Sequence, residues 1–381
     1  MGTHKKPGEK VRYFDYSLLA VIIFLMCFGL VMLYSTSSYS AQVKFHDSMY
    51  YFKRQAIVSL GSFVVMLYVA TIDYHKYAKW AKLAYFLAFF LMALVLTPLG
   101  KSAYGARRWL RLPMGQTMQP SELMKLAIIL FIPILICKLG KKIGNWKEFG
   151  KVFLWGLAAG LGVYVLTDNL STGIIVIGMA CVMLFVAHPK YTPFVMLLTG
   201  GAGLLFLGVH FLDKAMTTSE SFRLRRILVW LHPEKYASEG GYQVMQGLYA
   251  IGSGGFFGKG LGNSAQKMII PEVQNDMILS IVCEELGVCG AIVVLTLFGM
   301  LLYRLVFIAK NAPDIYGSLI VVGIFAHIAL QVFLNIAVVL NIIPTTGITL
   351  PFISYGGTSV LFLMIEMGVA LGVSRKISFE E

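Results

Sequence analysis

Long apolar runs, free or nearly free of charge, recur from one end of the chain to the other, separated by short polar or basic connections. A helix rises about 1.5 Å per residue, so roughly 20 apolar residues cross the hydrocarbon of a bilayer. The runs predict ten helical spans, near residues 16–36, 56–72, 83–99, 121–138, 151–167, 170–187, 192–211, 277–308, 315–341 and 350–373. One stretch differs. In "SFRLRRILVWLHPEKY" the pattern over 221–231 predicts a short amphipathic helix lying in the membrane interface. The expected fold is an all-α polytopic membrane protein, one transmembrane domain over 1–381. A single long extracellular loop, about 212–275, joins spans seven and eight, and no repeat or separate soluble domain is visible.

Composition sharpens this reading. The chain is 57% hydrophobic and 13% charged, with a mean hydropathy of +0.75, which excludes a soluble enzyme with one buried core. The net charge of +13 could suggest nucleic acid, but the basic residues sit in short connections between spans. They point to topology and anionic membrane lipids, with no nucleic acid. With an even span count, the amino-terminal tail (Lys5, Lys6, Lys10, Arg12), the 73–82 loop, "CKLGKKIGNWKEFGK" and "SRK" share one side. The positive-inside tendency makes that side, and both termini, cytoplasmic. The first run has no small-residue cleavage site and reads as a retained span. The five cysteines lie inside apolar runs without metal-ligand spacing, so neither a metal site nor a disulfide is expected.

Against that background "KSAYGARRWLRL", 101–112, stands out, with four basic side chains and no acid on the outer side. The long outer loop adds Arg223, Arg225 and Arg226, which suit either lipid headgroups or an anion site. In "PEVQNDMILSIVCEELG" Asn275 is a candidate helix cap, and Asp276 falls in the first turn of span eight. A helix-start carboxylate and a functional acid are both open there. Glu284 and Glu285 follow about 12–14 Å deeper, inside hydrocarbon, where carboxylates normally face a cavity or a partner. Lys125 of "PSELMK", a neighbour of Glu122 at i, i+3, is the expected partner. Asp168 lies at the turn between spans five and six. "YAIGSGGFFGKGLGNS" is not a nucleotide loop, because Ser253 replaces the first glycine and Gly260 follows Lys259. In "NIIPTTGITLPFISYGGTS" Pro344, Gly347 and Pro351 break the helix, so this segment, with Ser354, reads as a pocket wall. The apolar stretches Ala291–Phe307 and Ser318–Leu340 suit contact with lipid or another helix.

Taken in order, "GARRWL", "QPSELMK", "GSGGFFGKGLG", "PEVQNDMILSIVCEELG" and "GITLPFISYGG" resemble the SEDS family (shape, elongation, division and sporulation), to which RodA and FtsW belong. The resemblance covers essentially the whole chain. It implies a peptidoglycan glycosyltransferase of the bacterial cytoplasmic membrane that polymerises lipid II at the outer face. Its product would be an undecaprenyl-diphosphate-linked glycan, and its partner a class B penicillin-binding protein. By position it also implies that Asp276 is the essential acid, that Arg107, Arg108 and Trp109 form one substrate set, and that Glu122 and Lys125 form another. Trp109 could equally stack on a sugar or anchor at the interface.

The chain departs from the family pattern in three places, with Gln274 and Asn275 before the aspartate, "TDNLSTG" around Asp168 and "SYGGTS" near the end. The amino-terminal span looks more like the division and sporulation branch. A sugar hydroxyl needs a base, which suits Asp276, and a departing diphosphate needs cations. A divalent cation, Mg or Mn, could share the diphosphate, although no dedicated site is visible. Glu284, Glu285, Lys125 and Glu366 would also fit the path of a lipid II flippase, and a third alternative is a non-catalytic scaffold for a penicillin-binding protein.

Overall fold

The structure is a computed structural model that describes residues 11–103, 106–111, 117–197, 199–201, 203, 222–237 and 240–379. It is mostly helical. The helices are α1 (Tyr16–Phe45), α2 (Tyr50–Thr71), α3 (His75–Leu94), α4 (Pro120–Leu139), α5 (Trp146–Thr167), α6 (Leu170–Ala187), α7 (Phe222–Leu231), α8 (Gly241–Ser253), α9 (Ile278–Asn311), α10 (Ile315–Val339) and α11 (Thr358–Ser374). Eight helices among the described residues are long and apolar enough to cross a membrane. Two shorter apolar helices, Thr192–Gly201 and α11, stand at the seventh and tenth predicted spans. Residues 204–221, including the end of predicted span seven and the start of the long loop, lie outside the described residues.

Alternate crossings put two sets of connections at opposite ends of the bundle. At one end β1 (Val11–Arg12) pairs antiparallel with β5 (Ser378–Phe379), so the two ends of the described chain meet. There Asp15 caps α1 by accepting from the Leu18 N–H at 2.8 Å, and it pairs with Arg304 of α9 at 2.7 Å. At the other end β2 (Gly100–Ala103), β3 (Ala106–Arg111) and β4 (Thr117–Met118) form a three-stranded antiparallel sheet. The basic 101–112 stretch is therefore largely a hairpin, small β-structure added to the expected all-helical fold.

Inside the bundle α4 packs on α3, α5, α6 and α10, and α10 also packs on α6, α9 and α11. In both α4 and α10, 56% of the most apolar window is buried, against 22–39% in α1, α2, α3, α5 and α9, so these two form the centre. The second apolar stretch therefore meets helices of this chain itself. Its lack of charge suits the protein interior equally well. The first stretch does leave Ile292, Val293, Leu295, Met300 and Tyr303 exposed, while its Arg304 is taken up by Asp15.

Other boundaries differ from expectation. α3 starts at His75, within the basic 73–82 segment, because lysine stems extend along a helix while their ammonium groups stay in water. The last helix starts at Thr358, and residues 340–357 run without regular helix. Asn275 caps nothing; α9 begins at Ile278 after Met277, so Asp276 lies in the turn before the helix.

α9 is also broken nine residues in, at Gly287 (φ 67, ψ −162). The glycine-rich loop after α8 fills the break. The N–H groups of Lys259 and Gly260 donate to the carbonyls of Glu284 and Glu285 at 3.0 and 2.9 Å, and those of Val288 and Cys289 donate to Gly255 and Phe256, both at 3.1 Å. Backbone groups freed by the kink are thus satisfied by protein, the condition for irregular chain at membrane depth. Only glycine permits this approach. A Cβ on Gly258 (φ +78) would lie 2.2 Å from the Glu285 carbonyl oxygen. The glycine-rich loop thus reaches about 14 Å along α9 from the Asp276 end.

Candidate active site

Asp276 is held by its backbone and leaves its carboxylate facing the irregular 340–357 segment. The Asn335 side chain on α10 donates to the Asp276 carbonyl at 2.9 Å and to the Ile348 carbonyl at 2.8 Å. The Tyr355 N–H donates to the Gln274 carbonyl at 2.9 Å. Gly347 (φ +71) passes so close that a Cβ there would lie 3.9 Å from Asp276 Oδ2. From α7, Arg226 donates to the Thr345 carbonyl at 3.2 Å, and from α6, Ser171 donates to the Thr346 carbonyl at 3.2 Å. Asp276 keeps some accessible surface, yet protein surrounds it. Loss of solvation raises its carboxyl above the ordinary value, and a backbone hydrogen bond and the charge of Arg226 offset this only in part. Burial in turn lowers Arg226, while Asp276 opposes that shift. The result is a carboxylate more basic than usual beside one cation, a suitable general base.

Below the same irregular segment lies a small cavity of about 20 Å³, room for about one water, lined in part by Glu122, Lys125, His327, Gln331 and Ser354. Lys125 pairs with Glu122 at 2.9 Å, and its ammonium is 2.9 Å from His327 Nε2. It does not meet Glu284 or Glu285, contrary to the sequence expectation. Those two are fully buried and are matched by the glycine-rich loop instead. Glu284 takes Lys259 at 2.7 Å, the Ser264 hydroxyl and the N–H groups of Ala265 and Gln266 at 3.2 and 3.3 Å. Glu285 takes Ser35 at 2.6 Å, Lys267 at 3.3 Å and the Ser264 N–H at 3.4 Å. The inserted loop brings its own lysines, and distance along a single unbroken helix could not reveal that.

The β2–β3 hairpin divides the arginine pair. Successive residues on a strand point to opposite faces, and Arg107 is exposed while Arg108 is half-buried. Arg108 donates to the Asp168 carbonyl at 3.2 Å, which joins these two candidates. Asp168 itself is the left-handed residue (φ 50) closing α5. Trp109 is half-buried on the face of Arg107. The Thr358 hydroxyl donates to the Thr117 carbonyl at 3.1 Å, tying the sheet to the start of α11. Ser354 is buried and accepts from the Leu350 N–H at 2.8 Å, so its oxygen shapes the turn. Arg223 lies on α7, and its side chain falls outside the described residues.

Sequence reading missed Asn335, Gln331 and His327, although "HIALQVFLN" sets them at i, i+4 and i+8 on one helical face. Among the described residues no group of three or more His, Cys, Asp or Glu side chains is placed to hold a metal ion. Asp276 alone does not make a protein metal site.

The family model described as cell cycle protein, covering FtsW, RodA and SpoVE, matches residues 16–378. The chain belongs to this family. It is 40% identical over 365 residues to stage V sporulation protein E of Bacillus subtilis (strain 168), spanning 95% of this chain and 97% of that one. It is 36% identical over 372 residues to a probable peptidoglycan glycosyltransferase FtsW of Geobacter sp. (strain M18), spanning 97% and 99%. Among solved structures it is similar to a chain from work on structural coordination of polymerization and crosslinking by a peptidoglycan synthase complex. That likeness has a TM-score of 0.77 and 25% identity, over 96% of this chain and 98% of that one. The rod shape determining protein RodA of Thermus thermophilus shares the fold, with a TM-score of 0.68 and 24% identity over 96% and 97%. Family membership and the apolar helices make this a multi-pass membrane protein.

Proposed function

We propose that this peptidoglycan glycosyltransferase polymerises lipid II at the outer face of the bacterial cytoplasmic membrane, with both termini cytoplasmic and Asp276 as general base. The observation that carries the reading is the desolvated Asp276 carboxylate, on a backbone that Asn335 ties to the irregular segment. In the reaction the acceptor's sugar 4-hydroxyl gives its proton to Asp276 as its oxygen bonds to the donor's anomeric carbon. The bond from that carbon to undecaprenyl diphosphate breaks, and the electron pair leaves with the diphosphate. Negative charge then builds on the leaving group and needs fixed cations nearby. Arg226 is the near one; Lys125, Arg107 and Arg108 stand on the surrounding elements. A class B penicillin-binding protein is the proposed partner, and the exposed side of α9 is apolar enough to meet its single span. The test is purified protein supplied with labelled lipid II. Glycan ladders are expected; leaflet exchange without ladders would mean a flippase, and neither would mean a scaffold.

A further inference from the structure

α10 links two groups at different depths. Asn335 holds the backbone at Asp276, and Gln331, one turn deeper, donates to the Thr349 carbonyl at 3.0 Å. One turn deeper again His327, 2% exposed, has Nδ1 2.6 Å from Glu366 Oε2 on α11. Its Nε2 lies 2.9 Å from the Lys125 ammonium and 2.8 Å from Gln331 Oε1. Glu366 is 1% exposed, and nothing in the glycosyl transfer described above uses it. Two carboxylates, an imidazole and an ammonium therefore form one buried chain, Glu366–His327–Lys125–Glu122.

We propose that His327 and Glu366 are positioning residues for Lys125, and that a proton on His327 turns the ammonium toward an anionic diphosphate at the cavity mouth; this rests on the glycosyltransferase reading above. A neutral ring that donates from Nδ1 to Glu366 offers the Nε2 lone pair to Lys125. The three N–H groups of the ammonium are then directed at Glu122 at 2.9 Å, His327 at 2.9 Å and Gln331 at 3.4 Å. None is left for a ligand. A protonated ring has no lone pair. Its Nε2–H turns to Gln331, and two cations at that separation repel, so one ammonium N–H is released.

Charge balance favours coupling this release to anion binding. With both cations protonated the four groups sum to zero, whereas a neutral His327 leaves one uncompensated buried negative charge. A diphosphate at the mouth adds negative charge and so favours the imidazolium. Of the other elements packed on α10, α8 has no charged residue and α6 has only Cys181 as an ionisable side chain. On α9, Glu284, Glu285 and Arg304 are engaged with Lys259, Lys267 and Asp15, and Lys310 lies in its last turn.

The test uses the purified full chain in detergent, with undecaprenyl diphosphate as binding probe and lipid II as substrate, across about pH 5 to 8. Probe affinity and kcat/KM should fall about tenfold as pH rises through the histidine range, with kcat unchanged, the loss expected for one charge-assisted hydrogen bond. His327→Gln should flatten that dependence, and Glu366→Gln should displace it. A wild-type profile without this limb overturns the proposal. So does a limb unchanged in both variants, or a loss confined to kcat with a lowered melting temperature. If His327→Gln does not fold, the displacement in Glu366→Gln decides. Probe binding with this pH dependence but no glycan product would sink the glycosyltransferase reading and leave the role of His327 standing. Normal polymerisation with pH-independent probe binding would do the reverse.

Discussion

Asp276 and the Glu284–Glu285 pair lie on one segment, only about two helical turns apart, yet the protein treats them in opposite ways. The pair is fully buried, and each carboxylate has a lysine, a serine hydroxyl and at least one backbone N–H. Such saturation repays the large cost of taking a charge out of water and fixes geometry. Asp276 is desolvated with only partial compensation from Arg226. A carboxylate left in that condition holds a proton more tightly and is the better base. The saturated acids hold structure, and the unsaturated acid is the one proposed as the base.

The comparison breaks most decisively at Asp276. Asp276→Asn should cut glycan polymerisation by roughly 10²–10⁴-fold, the range for loss of a general base. Its melting temperature should match or exceed that of the wild type. The sign follows from the raised carboxyl: the folded state binds the proton more tightly than the unfolded state, so stability falls as pH rises from the unfolded value through the folded one. Above both, the ionised group is a net cost that asparagine removes. Asn335 contacts only the backbone at this position and is undisturbed. Ladder formation at the wild-type rate would take Asp276 out of the mechanism; a large drop in melting temperature would give it a structural role.

Glu285 should show the opposite signature. Glu285→Ala strands Lys267, 6% exposed by its side chain, and removes the acceptor of Ser35. A loss of about 3 kcal/mol or more in stability is expected for half of a buried pair, and activity should fall with the folded fraction. Measuring activity per folded molecule separates the cases. A Glu285→Ala protein of normal stability and no activity would move this glutamate into the chemistry.

The same contrast explains how much was legible in advance. Apolar run lengths located the spans, because hydrocarbon thickness sets them wherever they pack. The acid at 276 and the pocket-wall segment were legible through local breaks and family motifs. The partners of Glu284 and Glu285 were not, since they depend on a loop that inserts beside Gly287 and carries Lys259 and Lys267 with it. Local pattern showed glycines but not the depth of the loop. The Arg107–Arg108 pair was read as a unit until strand geometry placed the two side chains on opposite faces. His327, Gln331 and Asn335 were present at helical spacing, hidden by an otherwise uncharged run.

A pH profile sharpens the comparison further. Asp276 must be ionised to accept a proton, so kcat/KM should fall on acidification with a limb above the ordinary aspartate value of about 3.9. Arg226 lowers the Asp276 carboxyl, so Arg226→Met should carry the limb higher. Because Arg226 is also the proposed cation for the departing diphosphate, the plateau can drop as well; the limb position is the diagnostic. A limb at the ordinary value, or one that moves down in Arg226→Met, would contradict the described electrostatics.

The smallest expected effect lies within the saturated pair itself. Lys259 and Lys267 each serve one glutamate, but the Lys259 side chain is 36% exposed and that of Lys267 is 6% exposed. Water screens the first pair and can solvate its ammonium once the loop breathes. Glu284 would also keep the Ser264 hydroxyl and two backbone N–H groups after the lysine is removed. Lys259→Met should therefore cost about 1 kcal/mol or less, and Lys267→Met clearly more, in denaturation followed under identical detergent conditions. Equal losses would mean that the loop transmits both lysines to α9 as one rigid unit. A larger loss for Lys259 would show that Glu284, not Glu285, anchors the inserted loop.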